Sequence, residues 1–92
     1  MNSTLTIRNS EIATGITHID GESTAVKRIV VDHNTDPDTD YIRVAVYWPR
    51  ATWIYSVIAN DWNRILADGI RTGSLGRIAN GVKREAYNAT IV

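Results

Sequence analysis

The sequence predicts an α+β protein, in which an antiparallel β-sheet of three to four strands carries two C-terminal helices on one face. Residues 41–48 alternate apolar side chains with polar or smaller ones at the two-residue period of β-strands, and residues 52–59 are rich in β-branched and aromatic side chains. Residues 60–86 instead place their apolar side chains at the spacing of an amphipathic helix. Because the strand patterns come first and the helical patterns last, we expect both helices to pack on one side of the sheet.

The first half of the chain carries weaker strand signals. Residues 4–8 are predicted as a short strand, and residues 10–19 fit either a helix or extended structure. Asp20-Gly21 is a hairpin turn signal, which favours extended structure on both sides. Residues 24–32 are rich in β-branched side chains and are predicted as a strand. A polar loop over residues 33–40 is expected to follow.

The centre of the chain has the clearest strand pattern. Tyr41 to Trp48 alternates apolar residues with polar or smaller ones over the whole segment. A short turn at Pro49-Arg50-Ala51 then leads into Thr52 to Ala59, which is predicted to return as the antiparallel partner. This aromatic-rich strand pair is also a candidate sheet edge for self-association.

Two helices are predicted after this strand pair. Asn60 is the expected N-cap of the first helix, and Gly69 is expected to end it. Residues 70–73 form a basic, glycine-containing connector, and Ser74 is predicted to cap the second helix. The apolar stripe of the second helix consists of Leu75, Ile78, Val82 and Ala86.

Composition places the chain among ordinary globular proteins and predicts a single α+β domain over residues 1–92. The sequence has no cysteine, which rules out disulfides and thiolate metal sites and is typical of a reducing cytoplasm. No secretory signal and no segment of membrane-spanning length is visible, so we expect no membrane partner. The sequence has only two histidines and no cysteine, which is too few for a zinc site, and we expect neither a metal nor a cofactor.

Charge is unevenly distributed along the chain. The net charge is zero, but residues 1–40 hold seven acids and three bases, whereas residues 41–92 hold three acids and seven bases. The two halves either interleave into a mixed surface or form an acidic and a basic face. A two-faced surface would suit a partner made of basic protein and nucleic acid.

The acidic loop from Asp32 to Asp40 invites a calcium interpretation, which its spacing does not support. An EF-hand loop needs Gly at its sixth position and Glu at its twelfth. Counted from Asp32, those positions hold Pro37 and Arg43. The loop is therefore expected to be solvated, and the alternative is that Asp36, Asp38 and Asp40 contact a basic partner.

The sequence contains no catalytic motif, and we predict that the protein is not an enzyme. His33 follows Asp32, but no activated nucleophile motif such as Gly-x-Ser-x-Gly accompanies the pair. No Walker or dinucleotide-binding fingerprint is present either. The small chain also offers little surrounding structure to tune a carboxylate for acid–base chemistry.

Gly73-Ser74-Leu75-Gly76 supports two interpretations. A Gly-x-x-Gly turn between helices is the element with which KH domains clamp a nucleic-acid backbone, and Arg71 and Arg77 flank it here. The alternative is a helix connector that needs glycine for its geometry. The β-α-α-β order of a KH core is not evident from the sequence.

The polar side of the second helix is the predicted partner-binding surface. Arg77 and Arg84 lie two turns apart on one stripe, and Lys83 and Tyr87 are neighbours on the next. Arginine and tyrosine are enriched in interface hot spots. The predicted contact residues are Arg71, Arg77, Asn80, Lys83, Arg84 and Tyr87, together with the three loop aspartates. Trp48, Trp53 and Trp62 are expected in the core, and a partly exposed one would mark a contact patch.

Two stretches resemble known families. Residues 73–83, Gly-Ser-Leu-Gly-Arg-Ile-Ala-Asn-Gly-Val-Lys, resemble the last helix of a phage-encoded anti-CRISPR protein directed against type I-F surveillance complexes. The shared features are the Gly-Ser-Leu-Gly-Arg-Ile opening, a helix before it and a sheet before that. The small size, the lack of cysteine and the lack of enzymatic motifs are also similar to that class.

The second resemblance, over residues 23–87, is to the small KTSC domain. It rests on Ile29-Val30-Val31-Asp32, residues 42–46, Trp53-Ile54-Tyr55, and then a helix, a glycine turn and Val82-Lys83-Arg84 ahead of Tyr87. The tetrad that names the domain, with its cysteine, is not found here. This resemblance therefore implies a fold and not a function.

The first resemblance implies an inhibitor that binds a multi-subunit Cas protein–crRNA complex in the cytoplasm of a host bacterium and blocks target DNA binding sterically and electrostatically. The basic residues would touch guide-RNA phosphates, while the loop aspartates would face basic protein. No small-molecule ligand is expected. The alternatives are a nucleic-acid-binding module that uses the Gly-x-x-Gly turn and the basic helix, and a structural or oligomerising phage protein.

Overall fold

The computed structural model describes residues 5–11, 15–34 and 40–92, which form six strands and two helices. The strands are β1 (Leu5–Glu11), β2 (Ile16–Gly21), β3 (Arg28–Asp32), β4 (Tyr41–Tyr47), β5 (Thr52–Ile58) and β6 (Asn88–Ile91). The helices are α1 (Ala59–Thr72) and α2 (Leu75–Glu85). Both helices lie in sequence between β5 and β6.

The strands form one antiparallel sheet whose spatial order follows the sequence, from β1 at one edge to β6 at the other. The predicted α+β class, with two helices packed on an antiparallel sheet, is confirmed. The prediction of three to four strands is wrong, because the sheet has six. The prediction that helices come last is also wrong, since β6 follows α2 and pairs with β5.

The two faces of the sheet differ in what covers them. The helices cover the face that presents the inward side chains of β2 to β5, and this layer forms one core cluster. Its fully buried members are Ile19, Val26, Ile29, Val31, Val44, Val46, Val57, Leu75, Ile78, Ala79 and Val82. On the opposite face Val30, Ala45 and Ile54 lie in one cross-strand row and are half-buried. The alternation predicted for residues 41–48 is therefore confirmed.

The first half of the sheet departs from the sequence expectations. Asp20 and Gly21 lie inside β2 and pair with β1, so the predicted hairpin turn is not there. Asp20 stays in the strand as the shared partner of Arg8 and Arg28, at 2.9 and 3.4 Å. The predicted strand over residues 24–32 begins only at Arg28, because the Ser23 hydroxyl accepts the N–H groups of the two residues before Lys27 and holds a local turn.

The strand pair β4 and β5 is internal. β4 lies between β3 and β5, and β5 lies between β4 and β6. The proposed free edge for self-association is therefore wrong for this pair, since both strands have hydrogen-bonded neighbours on both sides.

Helix α1 begins earlier and ends later than predicted. Its N-cap is Ile58, which is extended and makes no side-chain cap, so Asn60 lies within the first turn. Gly69 does not end the helix. The C-cap is Gly73, which adopts the left-handed conformation with φ of 68°. Residues 70–72 are accordingly the last turn of α1 and not a connector.

Close helix packing explains the glycine at position 69. A Cβ atom on Gly69 would lie 2.1 Å from Ile78 Cγ1, so only glycine lets α1 approach α2 this closely. A Cβ atom on Gly81 of α2 would likewise lie close to α1, at 3.1 Å from Ile65 Cγ2. The predicted cap of α2 is confirmed, because the Ser74 hydroxyl accepts the Arg77 backbone N–H at 3.2 Å. In the described part of the chain, neither helix has the length and hydropathy needed to cross a membrane.

Candidate binding groove

Helix α2 separates two concave surfaces of different character. The first, which we call the aromatic groove, has a volume of about 470 Å³ and is lined by Trp48, Arg50, Ala51, Trp53, Tyr55, Asn80, Lys83 and Ala89. The second, which we call the polar cleft, has a volume of about 290 Å³ and is lined by Arg64, Ile65, Asp68, Arg77, Gly81, Arg84 and Glu85. Lys83 and Arg84 are consecutive residues that line different surfaces.

The aromatic groove is built where β5 meets β6 under the second half of α2. Trp53 and Tyr55 are two residues apart on β5, so both side chains lie on the helix-covered face. Ala89 of β6 pairs with Tyr55 and contributes only a methyl group, which leaves the space above it open. The turn after β4, closed by a 3.0 Å hydrogen bond from the Trp48 N–H to the Ala51 carbonyl, brings Trp48 to the same place.

The three aromatic rings of the groove are held by contacts with one another and with Lys83. The Trp48 indole Nε1–H donates to Tyr55 Oη at 3.2 Å, and Tyr55 is 4% exposed. Trp53 and Tyr55 are stacked with ring centroids 6.5 Å apart. Lys83 Nζ lies 5.9 Å from the centroid of the Trp48 ring, within the range of a cation–π contact. The groove is thus a preformed aromatic surface with a cation at its side.

The charges of the aromatic groove are unbalanced. Arg50 and Lys83 line it, and of the residues that the structure describes, no aspartate or glutamate does. Both cationic side chains belong to exposed residues. Since Trp48 and Trp53 are only half-buried, the groove offers water an apolar, cationic surface that fits an anionic ligand with a flat or apolar part.

The charged side chains that line the polar cleft are, in contrast, ion-paired, except Arg84, for which the described residues provide no ion pair. Asp68 of α1 binds Arg77 of α2 at 2.9 Å and also Arg71 within α1. Arg64 bridges Asp61 and Glu85, each at 3.0 Å. Hydrogen bonds from Arg77 and then Arg71 hold the pKa of Asp68 below its ordinary value, and the same carboxylate raises the pKa of Arg77.

The structure divides the predicted basic surface between these two sites. Arg71 and Arg77 are ion-paired with Asp68, so their charges are partly compensated. Lys83 and Asn80 line the aromatic groove, whereas Arg84 lines the polar cleft. The helical spacing correctly placed Arg77, Asn80, Lys83 and Arg84 along α2, but it did not separate those near the carboxylates of the polar cleft from those near the aromatic rings.

The other predicted contact residues lie elsewhere. Tyr87 is 69% exposed and stacks on Tyr41 with ring centroids 4.9 Å apart. Asp40 is exposed, and its carbonyl accepts the Ala59 N–H at 2.8 Å, which ties the loop to the start of α1. Asp36 and Asp38 lie outside the described residues, so the acidic contact predicted for them stays a prediction.

The Gly-x-x-Gly segment connects the two helices. Gly73 supplies the left-handed C-cap of α1, Ser74 caps α2, and Gly76 lies in the first turn of α2. This geometry fits the connector interpretation. The segment β5-α1-α2-β6 nevertheless has the β-α-α-β order that was not evident from the sequence.

The burial of the three tryptophans differs, and it shows which groove residues were not predicted from the sequence. Trp62 is 3% exposed and belongs to the core as predicted, whereas Trp48 and Trp53 only pack against it from the groove. Arg50 and Tyr55 were not identified as site residues. The alternation along residues 52–58 carried a signal for Tyr55, because it places that ring on the same face as Trp53.

Comparisons with known proteins do not identify the chain. No family model matches it, and no curated protein and no solved structure is significantly similar to it. The resemblances to anti-CRISPR proteins and to the KTSC domain therefore remain predictions. Among the described residues, no group of three or more histidine, aspartate or glutamate side chains is placed to hold a metal ion.

Proposed function

We propose that this protein acts by binding a partner and not by catalysis, and that the aromatic groove is its main contact surface. The observation that carries this proposal is the pair of half-buried tryptophans beside Lys83, on a surface where no described carboxylate balances the cations. Tryptophan and arginine dominate the binding energy of many interfaces because they combine large contact area with hydrogen bonding.

As the specific partner we propose a type I-F CRISPR–Cas surveillance complex, whose target DNA binding the protein would block. The support for this partner is the resemblance of residues 73–83 to an anti-CRISPR helix. The mechanism would be steric and electrostatic. A protein–RNA assembly of this kind contains nucleic-acid phosphates, and the cations of the groove would complement them.

The proposed contact set is narrower than the basic helix face. Lys83 and Arg50 line the groove and would contribute most, whereas Arg71 and Arg77 would contribute less because Asp68 already binds them. Freeing those two arginines would require breaking their exposed ion pairs with Asp68, of which the Arg77 pair joins the two helices and the Arg71 pair lies within α1.

The experiment is a mobility-shift assay with purified type I-F surveillance complex and labelled target DNA, in which the protein is added before the DNA. We expect loss of the complex–DNA shift and no shift of DNA alone. Lys83→Glu should restore the shift, and Arg71→Glu should not. If the wild-type protein changes neither DNA binding nor DNA cleavage by the complex, this partner is wrong.

A second candidate function is direct nucleic-acid binding through the Gly73–Gly76 turn. It is favoured by the β5-α1-α2-β6 order around that turn. Glycine at position 76 has open space around it, since a Cβ there would meet only the Ser74 hydroxyl at 3.8 Å. An acidic side chain there would repel a phosphate, so Gly76→Asp should abolish binding of free nucleic acid if the turn is the site.

A further inference from the structure

We propose that the aromatic groove is a site for one nucleotide of a single-stranded nucleic acid, with the base on the tryptophan side and the phosphate at Lys83 and Arg50. This inference rests on the proposed function, in that it takes the groove as the contact surface, and it adds the chemical class of the ligand. It does not use the Gly73–Gly76 turn.

The shape of the aromatic groove suits a flat ligand. A volume of about 470 Å³ lies within the range of about 300–1,000 Å³ typical of ligand pockets. The walls are the rings of Trp48, Trp53 and Tyr55, and the floor is opened by the small side chains Ala51 and Ala89. Lys83 Nζ lies over the Trp48 ring and Tyr55 is only 4% exposed, so the half-buried Trp53 ring is the one left to stack on a flat ligand.

The groove also places a cation, Lys83, close to an aromatic ring, that of Trp48. Lys83 Nζ lies 5.9 Å from the Trp48 ring centroid. Because this ammonium group lies over the Trp48 ring, a base stacked on Trp53 would carry its phosphate, on the adjoining sugar, in the same groove as Lys83. Proteins that bind single strands combine these two elements, an aromatic stacking surface and a positive groove along the backbone.

The groove also contains an uncharged polar side chain, that of Asn80. Asn80 is exposed on α2 and supplies amide donors and an acceptor, which can pair with the edge of a base. No aspartate or glutamate of the described residues lines the groove, so no lining carboxylate would repel a phosphate there. An acidic peptide would satisfy the two cations but would leave the flat rings without a matching flat partner, so the nucleotide fits better.

The test is a fluorescence titration of the intact protein, because Trp48 and Trp53 lie in the groove while Trp62 is buried. The probes are oligo(dT) and oligo(U) of about eight nucleotides, within the range of about 4–16 nucleotides that single binding modules cover. Uridine monophosphate distinguishes a free nucleotide from a strand. A glutamate-rich peptide of the same length serves as the competing class.

We expect the oligonucleotides to quench tryptophan fluorescence with an affinity that falls as salt rises. Lys83→Glu should weaken this binding by about tenfold, since it replaces an attraction by a repulsion. Arg84→Glu is the matched control, because it reverses the same charge one residue further along α2 but in the polar cleft, and it should change affinity by less than about twofold. Trp53→Ala should weaken binding by about tenfold, in line with the loss of one stacked base.

Any of four outcomes would overturn the inference. The first is no quenching by any oligonucleotide or by the mononucleotide. The second is an equal loss of binding in Lys83→Glu and Arg84→Glu. The third is quenching by the peptide alone. Loss of oligonucleotide binding in Gly76→Asp, with Lys83→Glu unaffected, would move the site to the turn between the helices. The surveillance-complex assay is independent of all these arms, so failure of the proposed partner and failure of this ligand class can be told apart.

Discussion

The two sides of helix α2 both carry cationic residues, but these residues have different neighbours in the folded protein. Lys83 and Arg84 are consecutive, both exposed and both cationic. Lys83 lies beside the Trp48 ring in a groove with no described carboxylate, whereas Arg84 lines a cleft that also contains Asp68 and Glu85. A basic helix face is therefore not one surface, because the elements packed beside the helix decide whether each of its charges lies near carboxylates or near aromatic rings.

The difference originates in what α1 and β5 place beside α2. Helix α1 offers Asp68 to the α2 residue Arg77, and Arg64 reaches across to Glu85. Strand β5 offers Trp53 and Tyr55 to the other side. One side of α2 thus carries the ion pairs to α1 and the polar cleft, and the other side carries the aromatic groove. The following predictions test that division, beginning with the largest expected effect.

The largest effect is expected where the helices touch. Gly69→Ala adds a methyl group 2.1 Å from Ile78 Cγ1, and Ile78 is fully buried, so the helices must move apart. We expect a loss of about 1–3 kcal/mol in the free energy of unfolding, measured by urea denaturation. Gly76→Ala is the control, because its Cβ has open space, and it should stabilise the protein by about 0.5–1 kcal/mol. Equal stability of the two variants would contradict the close helix packing.

A smaller effect is expected inside the aromatic groove. Tyr55→Phe removes the oxygen that accepts the Trp48 Nε1–H and leaves that partly buried donor without its partner. We expect a loss of about 0.5–1.5 kcal/mol in stability and a shift of the tryptophan emission. Tyr47→Phe, at a residue that is 38% exposed on β4, should have little effect on either. An unchanged emission spectrum in Tyr55→Phe would argue against a fixed Trp48 ring.

Removal of the groove cation should cost less still. Lys83→Met keeps the aliphatic stem over Trp48 and loses the ammonium group, so we expect a loss of about 0.5 kcal/mol from the exposed cation–π contact. The measurement is thermal unfolding at low and high salt. Arg84→Met should match the wild-type protein within error, and a larger effect of Arg84→Met than of Lys83→Met would reverse the assignment of the two sides.

The smallest effect is expected from the polar cleft, and it depends on pH. The neighbouring arginines hold the pKa of Asp68 below its ordinary value of 3.8, so the folded protein binds its proton less readily than the unfolded chain. The stabilisation is complete above pH 3.8 and is lost as the pH falls through the lower, folded pKa. Asp68→Asn should therefore lower the melting temperature slightly at pH 7, and the difference should shrink below pH 3.8.

Salt provides the check on this last prediction. The Asp68 pairs are exposed, and ion pairs of that kind are screened at high ionic strength. The difference between wild type and Asp68→Asn should accordingly fall when sodium chloride is raised at pH 7. A difference that persisted both in high salt and at acid pH would show that Asp68 acts through packing and not through its charge.

Periodicity predicted the parts of the fold that are buried on one side only. The alternation over residues 41–48 identified β4, and the stripe through Leu75, Ile78 and Val82 identified the buried face of α2. Strand β6 escaped prediction because all four of its residues are exposed, so no inward side chain marks its period. Gly69 misled for a different reason, since a glycine that permits close helix packing looks in sequence like one that ends a helix.

The candidate site was predictable only in part. Helical spacing brought Asn80 and Lys83 into the list of contact residues, and tryptophan content raised the prospect of an exposed aromatic patch. Nothing in the spacing could show that Asp68 binds Arg77, or that Trp48 and Lys83 meet, because those contacts join elements that are distant in the chain. Long-range packing, and not local pattern, separates the two sides of α2.

The position of β6 gives the groove a dynamic property. This strand is short and lies at the edge of the sheet, all four of its residues are exposed, and the N–H groups of the flanking residues Tyr87 and Val92 donate to carbonyls of β5. Such segments open locally at a lower free energy than the core. When β6 opens, Ala89 leaves the groove and Trp53 loses its paired neighbour Ile91. Any molecule bound in the groove should therefore slow amide hydrogen exchange in β6. The exchange rate of this edge strand would then show whether the groove is occupied.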